Sequence, residues 1–145
     1  MINAERIAAI RARYDDCFGC GAANQSGLQL DGFSRDGDQV SVTFVPQSHH
    51  TGFADILHGG IVATALDEIM AWTAMLVEGV LVVTGTMELR FRKPARAGAT
   101  FRLVGELIER RGRRLMINGT LYDGETMIAD ANAMFLVVDV LTDGP

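Results

Sequence analysis

Lysine is almost missing from this chain: Lys93 is the only one, and the other twelve cations are arginines. Eighteen acidic residues outnumber these cations and leave a net charge of −5. Neutralising nucleic-acid phosphate takes a net positive surface, so no nucleic-acid partner is expected. Long apolar runs are scarce as well. The most apolar region is interrupted by Asp67, Glu68 and Glu78, short of the roughly 18 unbroken residues of a bilayer span, and no membrane partner is expected. The segment Met1 to Arg6 does not show the basic stretch and apolar run of a secretory leader, which makes a cytoplasmic location the default. Cysteine is limited to Cys17 and Cys20 in one C-x-x-C. A structural zinc site takes four ligands, and a redox C-x-x-C usually opens a helix after a strand. Here Phe18-Gly19 and Gly21 suggest a tight irregular turn, so two reduced, packed thiols are expected. The three histidines form no H-x-x-x-H pair: His49-His50 fall on a loop and His58 enters a helix. Neither a metal nor a cofactor is expected.

What is present is the composition of a folded domain, 48% hydrophobic and 21% charged over 145 residues. That length suits one domain spanning 1–145, with 1–27 forming an N-terminal helix and a Gly-rich lead-in. The helix is expected over 3–13, capped by Asn3, with Ile7, Ala8 and Ile10 on its apolar side. Leu28 to Phe33 and Gln39 to Val45 alternate as strands should, and Arg35-Asp36-Gly37-Asp38 is the turn that joins them. From Gly59 to about Glu78 the apolar residues surround the helical cylinder, which predicts a buried helix roughly 30 Å long. Four further strands follow: 80–93, 100–110, 113–123 and 126–140. Arg111-Gly112 and Asp123-Gly124 mark antiparallel hairpins among them. The fold class is therefore α+β, an antiparallel sheet wrapped around one long helix. Such a sheet covers one side of the helix and keeps open edges, so a homodimer is expected to complete it.

The chemistry concentrates in His58-Gly59-Gly60-Ile61-Val62-Ala63-Thr64-Ala65-Leu66-Asp67-Glu68. Two glycines at the start of a buried helix present unpaired N–H groups and the positive end of the helix dipole. With no side chains in the way, a ligand carbonyl can approach the backbone of Gly59 and Gly60 closely, and fixed donors of this kind stabilise the oxyanion of an attacked acyl group. Asp67 lies two turns further on, on a stripe with Ala63, Thr64, Met70, Ala71 and Ala74. A carboxylate sheltered there suits a general base for water, or a nucleophile. Glu68, nearer Thr64 and Trp72, is a candidate to contact substrate or to pair with an arginine. Met70, Trp72, Ala74 and Met75 are candidates to line an acyl pocket.

His58-Gly59-Gly60 with an aspartate nine residues after the histidine resembles the signature of the PaaI-like and THEM-like branch of the hotdog thioesterase superfamily. The resemblance extends to the lead-in Cys17-Phe18-Gly19-Cys20-Gly21 with Asn24 and Gly27-Leu28, to the strand ending at Pro94 with Gly98 beyond it, and to the hairpin at Arg111-Gly112-Arg113. It implies a hotdog fold and hydrolysis of an acyl-CoA to CoA and free acid. Asp67 then matches the catalytic acid, Gly59 the N–H that polarises the thioester carbonyl, and His58 the histidine beside it. Thr84 matches a polar residue that orients water across the dimer interface. Arg92, Lys93 and Arg113 are the cations expected to meet the CoA moiety, and a dimer of dimers is a further expected assembly. Two positions depart from the pattern. Gly52 stands where many members carry Asn or Gln, with His49, His50 and Thr51 near enough to substitute, and Ala71 replaces a small hydroxyl residue. These departures keep a non-catalytic acyl-CoA binding module open; a hotdog dehydratase or hydratase is a third reading, whose His-Phe-Pro turn is not matched by His49-His50-Thr51.

Overall fold

The structure, a computed structural model, describes residues 4–141; the Asn3 cap expected for the first helix lies outside them. Helix α1 is Ala4–Arg13, strands β1 and β2 are Ser34–Asp36 and Gln39–Phe44, and helix α2 is Gly59–Glu78. Strands β3 (Val80–Phe91), β4 (Phe101–Arg111), β5 (Arg114–Asp123) and β6 (Thr126–Val140) follow among the described residues. The six strands form one antiparallel sheet in the order β1-β2-β4-β5-β6-β3. The sheet wraps α2, which is the hotdog arrangement.

The strand alternation decides which face meets the helix. Val40, Val42 and Phe44 of β2, Phe101 and Leu103 of β4, Leu115, Ile117 and Leu121 of β5, and Phe135 of β6 all point inward and are buried. Against them α2 sets Val62, Leu66, Ile69, Met70 and Leu76. By length and composition α2 would pass for a bilayer span, with 20 residues and a mean hydropathy of 1.5. Its apolar surface instead faces the sheet. The close fit depends on Gly105, paired with Gly119 on the neighbouring strand. A Cβ at 105 would sit 2.1 Å from Thr73 Oγ1 and 3.0 Å from the Ile69 carbonyl oxygen, and one at 119 would be 3.0 Å from Met70 Cγ.

One expected strand does not form. Leu28 and Leu30 are buried as the alternation predicts, and Phe33, out of phase with them, is buried too, but Gln29 takes a φ of 52°, which breaks an extended run. The N–H groups of Leu28 and Leu30 bond to the carbonyls of Phe18 and Gly19 at 2.8 and 3.0 Å, within the lead-in and not within the sheet. The first strand is the short Ser34–Asp36 instead, and the hairpin turn narrows to Gly37-Asp38.

Candidate active site

His58 caps α2 and shares out its first N–H groups. The His58 carbonyl accepts from Ile61 and Val62 at 2.9 and 3.2 Å, and His58 Nδ1 accepts from the Gly60 N–H at 2.9 Å. Gly59, the first residue of the helix, has no carbonyl four residues back within the helix. Its N–H has no acceptor among the described residues, and Gly59 is exposed. The expected pair of donors is therefore a single one: Gly60 serves the cap. A Cβ at Gly60 would lie 3.0 Å from His58 Nδ1, whereas one at Gly59 would make ordinary contact with the Phe91 ring at 3.6 Å.

Gly59 opens onto a cavity of about 400 Å³ shared with Val62, Phe91, Arg92, Lys93 and Pro94. Lys93 is exposed there. Arg92 is held by Asp130, with Nε and an Nη at 2.5 and 3.3 Å from its two carboxylate oxygens. The hydrogen bonds from Arg92 keep the Asp130 carboxyl below its ordinary range. Arg113 does not reach this cavity. Its guanidinium donates to the Val137 carbonyl at 3.1 Å, beside a second cavity of about 550 Å³ shared with Arg111 and Arg114.

Asp67 is half-buried in the single chain, less sheltered than its place on an apolar helix predicts. It lies on a stripe of α2, with Gly60, Ala63, Thr64 and Ala71, that the sheet does not fully cover. Thr84 Oγ1 donates to Asp67 Oδ1 at 2.6 Å, so a contact expected between subunits is found within one chain. A β-bulge in β3 makes the meeting possible: Thr84 pairs with Phe135 and Thr86 with Met134, leaving Gly85 as the extra residue that re-aims the strand.

Gly59 and Asp67 do not converge within one chain. Eight residues at 1.5 Å each separate them by about 12 Å along the helix axis, too far for one thioester carbon to lie at the donor and the carboxylate together.

Glu68, not Asp67, is the inward acid. Its carboxylate accepts from Trp72 Nε1 at 3.1 Å and from Cys17 Sγ at 3.7 Å, and no arginine ion pair to it is found among the described residues. Burial pushes the Glu68 carboxyl up, and the Asp67 charge adds to this against the hydrogen bonds it accepts. Burial also raises the neighbouring Cys20 thiol, helped by the Glu68 charge. An apolar cavity of about 290 Å³ lies beside this cluster, lined by Trp72, Ala71 and Met75 of α2 with Leu81 and Val82 of β3. Met70 and Ala74, expected in an acyl pocket, do not line it; both are fully buried.

The histidines near Gly52 are occupied. His50 is buried, with Nδ1 accepting from the Gln47 N–H at 2.9 Å and Nε2 3.2 Å from the Ser26 carbonyl oxygen. His49 Nε2 lies 3.1 Å from the same oxygen. Both rings tie the loop to the lead-in, and His50 has no nitrogen left to replace a missing amide. Gly52 itself packs on the capping residue: a Cβ there would be 3.0 Å from His58 Cα.

The sequence pattern of the thioesterase superfamily matches residues 54–129, just over half of the chain, and the chain belongs to that superfamily. No curated protein matches it. Among solved structures, smu.793 from Streptococcus mutans UA159 bound to acetyl CoA superposes with a TM-score of 0.70 at 19% identity, covering 77% of this chain and 93% of that one. A hypothetical thioesterase with coenzyme A from Streptococcus pneumoniae TIGR4 gives 0.68 at 18% identity, with 78% and 98% covered. The thioesterase superfamily protein RHA08564 gives 0.74 at 17% identity, with 92% and 76% covered. At these identities the likeness is one of fold.

Proposed function

We propose that this protein hydrolyses an acyl-CoA thioester, with a site assembled from two copies of the chain. The observation that carries the reading is the pair Asp67 and Thr84, 2.6 Å apart on a helix face that the chain leaves partly open, together with the unclaimed N–H of Gly59. The thioester carbonyl accepts from Gly59 of one copy. Asp67 of the second copy takes a proton from water, or attacks the carbonyl carbon itself, while Thr84 fixes the carboxylate. The developing negative charge on the carbonyl oxygen falls at the positive end of α2. The intermediate collapses with cleavage of the C–S bond: in the base route the CoA thiolate leaves as the thiol with the proton held by Asp67, and in the attack route water then cleaves the acyl–Asp67 anhydride to free acid, which restores the carboxylate. Two-fold packing of α2 on α2 through the Ala63-Thr64-Asp67 stripe brings the separated groups together, and the unpaired edge of β3 extends the sheet in the same association. Lys93 and Arg92 stand at the mouth of the Gly59 cavity, where nucleotide phosphates find charge-assisted partners. Acetyl CoA and coenzyme A in two structural neighbours support a ligand of this class.

Free-thiol release from a panel of acyl-CoA esters tests the proposal. Hydrolysis of at least one ester is expected, with a loss of about 100-fold or more in kcat for Asp67→Asn. Equal rates for variant and parent would remove Asp67 from the chemistry. A binding module is the second reading, favoured by Gly52, which supplies no amide side chain and where a Cβ would crowd His58 Cα at 3.0 Å. Stable binding of CoA esters without thiol release would establish that reading instead.

A further inference from the structure

Away from the Asp67–Thr84 pair, the lead-in and α2 bring together the only group of three potential metal ligands among the described residues: Cys17, Cys20 and Glu68. Their ligand atoms all lie within 4.8 Å of one another, and Cys17 Sγ is 3.7 Å from Glu68 Oε1. A tetrahedral zinc ion with sulfur at about 2.3 Å and oxygen at about 2.0 Å sets its ligands roughly 3.5 to 3.8 Å apart, so the cluster needs little adjustment to close on one.

The surroundings hold these three side chains in place. Cys20 is buried and Cys17 half-buried. The connecting turn is fixed by Gly21 N–H to the Cys17 carbonyl at 2.8 Å, and by Phe18 and Gly19 carbonyls accepting from Leu28 and Leu30. Gly19 makes room for the acid: a Cβ there would lie 2.3 Å from Glu68 Cδ and 2.4 Å from Oε2. Trp72 Nε1 orients the same carboxylate from its other side, as outer-shell donors orient metal ligands. Two thiols, which bind a metal as thiolates by releasing their protons to water, join one half-buried carboxylate with no side-chain cation bonded to them among the described residues; the nearby Arg11 gives its hydrogen bonds to the Cys20 carbonyl and Asp31. Thiolates select zinc and similar ions over magnesium or calcium.

We propose that Cys17, Cys20 and Glu68 bind one thiophilic divalent cation, zinc in class, with a fourth position that opens on the apolar cavity and takes water. The bound ion pins the lead-in turn to α2 next to Asp67. This site does not depend on the thioesterase reading.

Cobalt(II), which reports its ligands by absorption, is the probe, added to the chelator-treated protein under a phosphine reductant so that no Cys17–Cys20 disulfide survives. One equivalent is expected to produce a thiolate-to-cobalt charge-transfer band in the near ultraviolet. Zinc should displace it, and Cys17→Ser and Cys20→Ser should each abolish it. Glu68→Gln should shift the visible cobalt bands and weaken affinity by about 10-fold or more. Zinc should also raise the melting temperature of the parent, with EDTA reversing the rise. Absence of the band in parent protein whose two thiols both titrate overturns the proposal, as does a band that persists in Cys20→Ser. The parent measurement decides even if a cysteine variant fails to fold.

Discussion

At the scale of single residues, the start of α2 separates two glycines that look alike in sequence. Gly60 is constrained because its N–H and its missing Cβ both serve the His58 ring. Gly59 contributes a donor. Gly59→Pro removes that donor at little structural cost: proline is favoured at the first helical position, and His58 is already extended at φ −58° and ψ 135°. Its kcat should fall by about 100-fold or more while circular dichroism and melting stay near those of the parent. Unchanged turnover in Gly59→Pro would show that the carbonyl is held elsewhere. A second residue-scale outcome concerns Asp130. Hydrogen bonds from Arg92 lower its folded pKa, so the stability it contributes is present above the unfolded value of about 4 and is lost as pH falls through the folded one. Asp130→Asn should therefore unfold earlier in denaturant than the parent at pH 7, and the two curves should converge towards pH 2. The HGG signal and Asp67 were legible from residue type and spacing alone. Which N–H remains available was not, since it depends on the rotamer of His58.

Among the elements, the bounds of α2 and the positions of β3 to β6 follow from apolar periodicity and from the Gly-containing turns. Periodicity does not report where two elements touch most closely. Gly105 reads as a gap in the alternation of β4, yet Thr73 and the α2 backbone press against it. Gly105→Ala should cost about 1–3 kcal/mol by overpacking, measured by denaturant unfolding, and Thr73→Ala in the same chain should recover part of the loss. Leu28 to Phe33 shows the opposite error: the inward and outward pattern is real at Leu28 and Leu30, but its partners are lead-in carbonyls, because Gln29 turns the backbone out of the extended region. The bulge at Gly85 was likewise silent in sequence. It depends on the register of β3 against β6, and it sets Thr84 beside Asp67.

For the whole molecule, the 12 Å or so between Gly59 and Asp67 along one helix turns the oligomeric state into a chemical question. If each site takes Gly59 from one copy and Asp67 from the other, two inactive variants should complement. Equal amounts of Asp67→Asn and Gly59→Pro, unfolded together and refolded, should recover about a quarter of the parental rate, because half the dimers are mixed and each holds one intact site. No recovery from a refolded mixture that shows mixed dimers by native mass spectrometry would overturn a site that takes Gly59 from one copy and Asp67 from the other. The sequence alone determined a buried helix, an antiparallel sheet around it and the identity of the reactive carboxylate candidate, because these rest on local periodicity and residue chemistry. Tertiary structure decided that Glu68 turns inward to Trp72 and the cysteines, that Asp67 faces an open stripe, and that the lead-in closes over α2. Those outcomes rest on the rotation of one helix against a curved sheet, a relation between distant segments that no local pattern encodes.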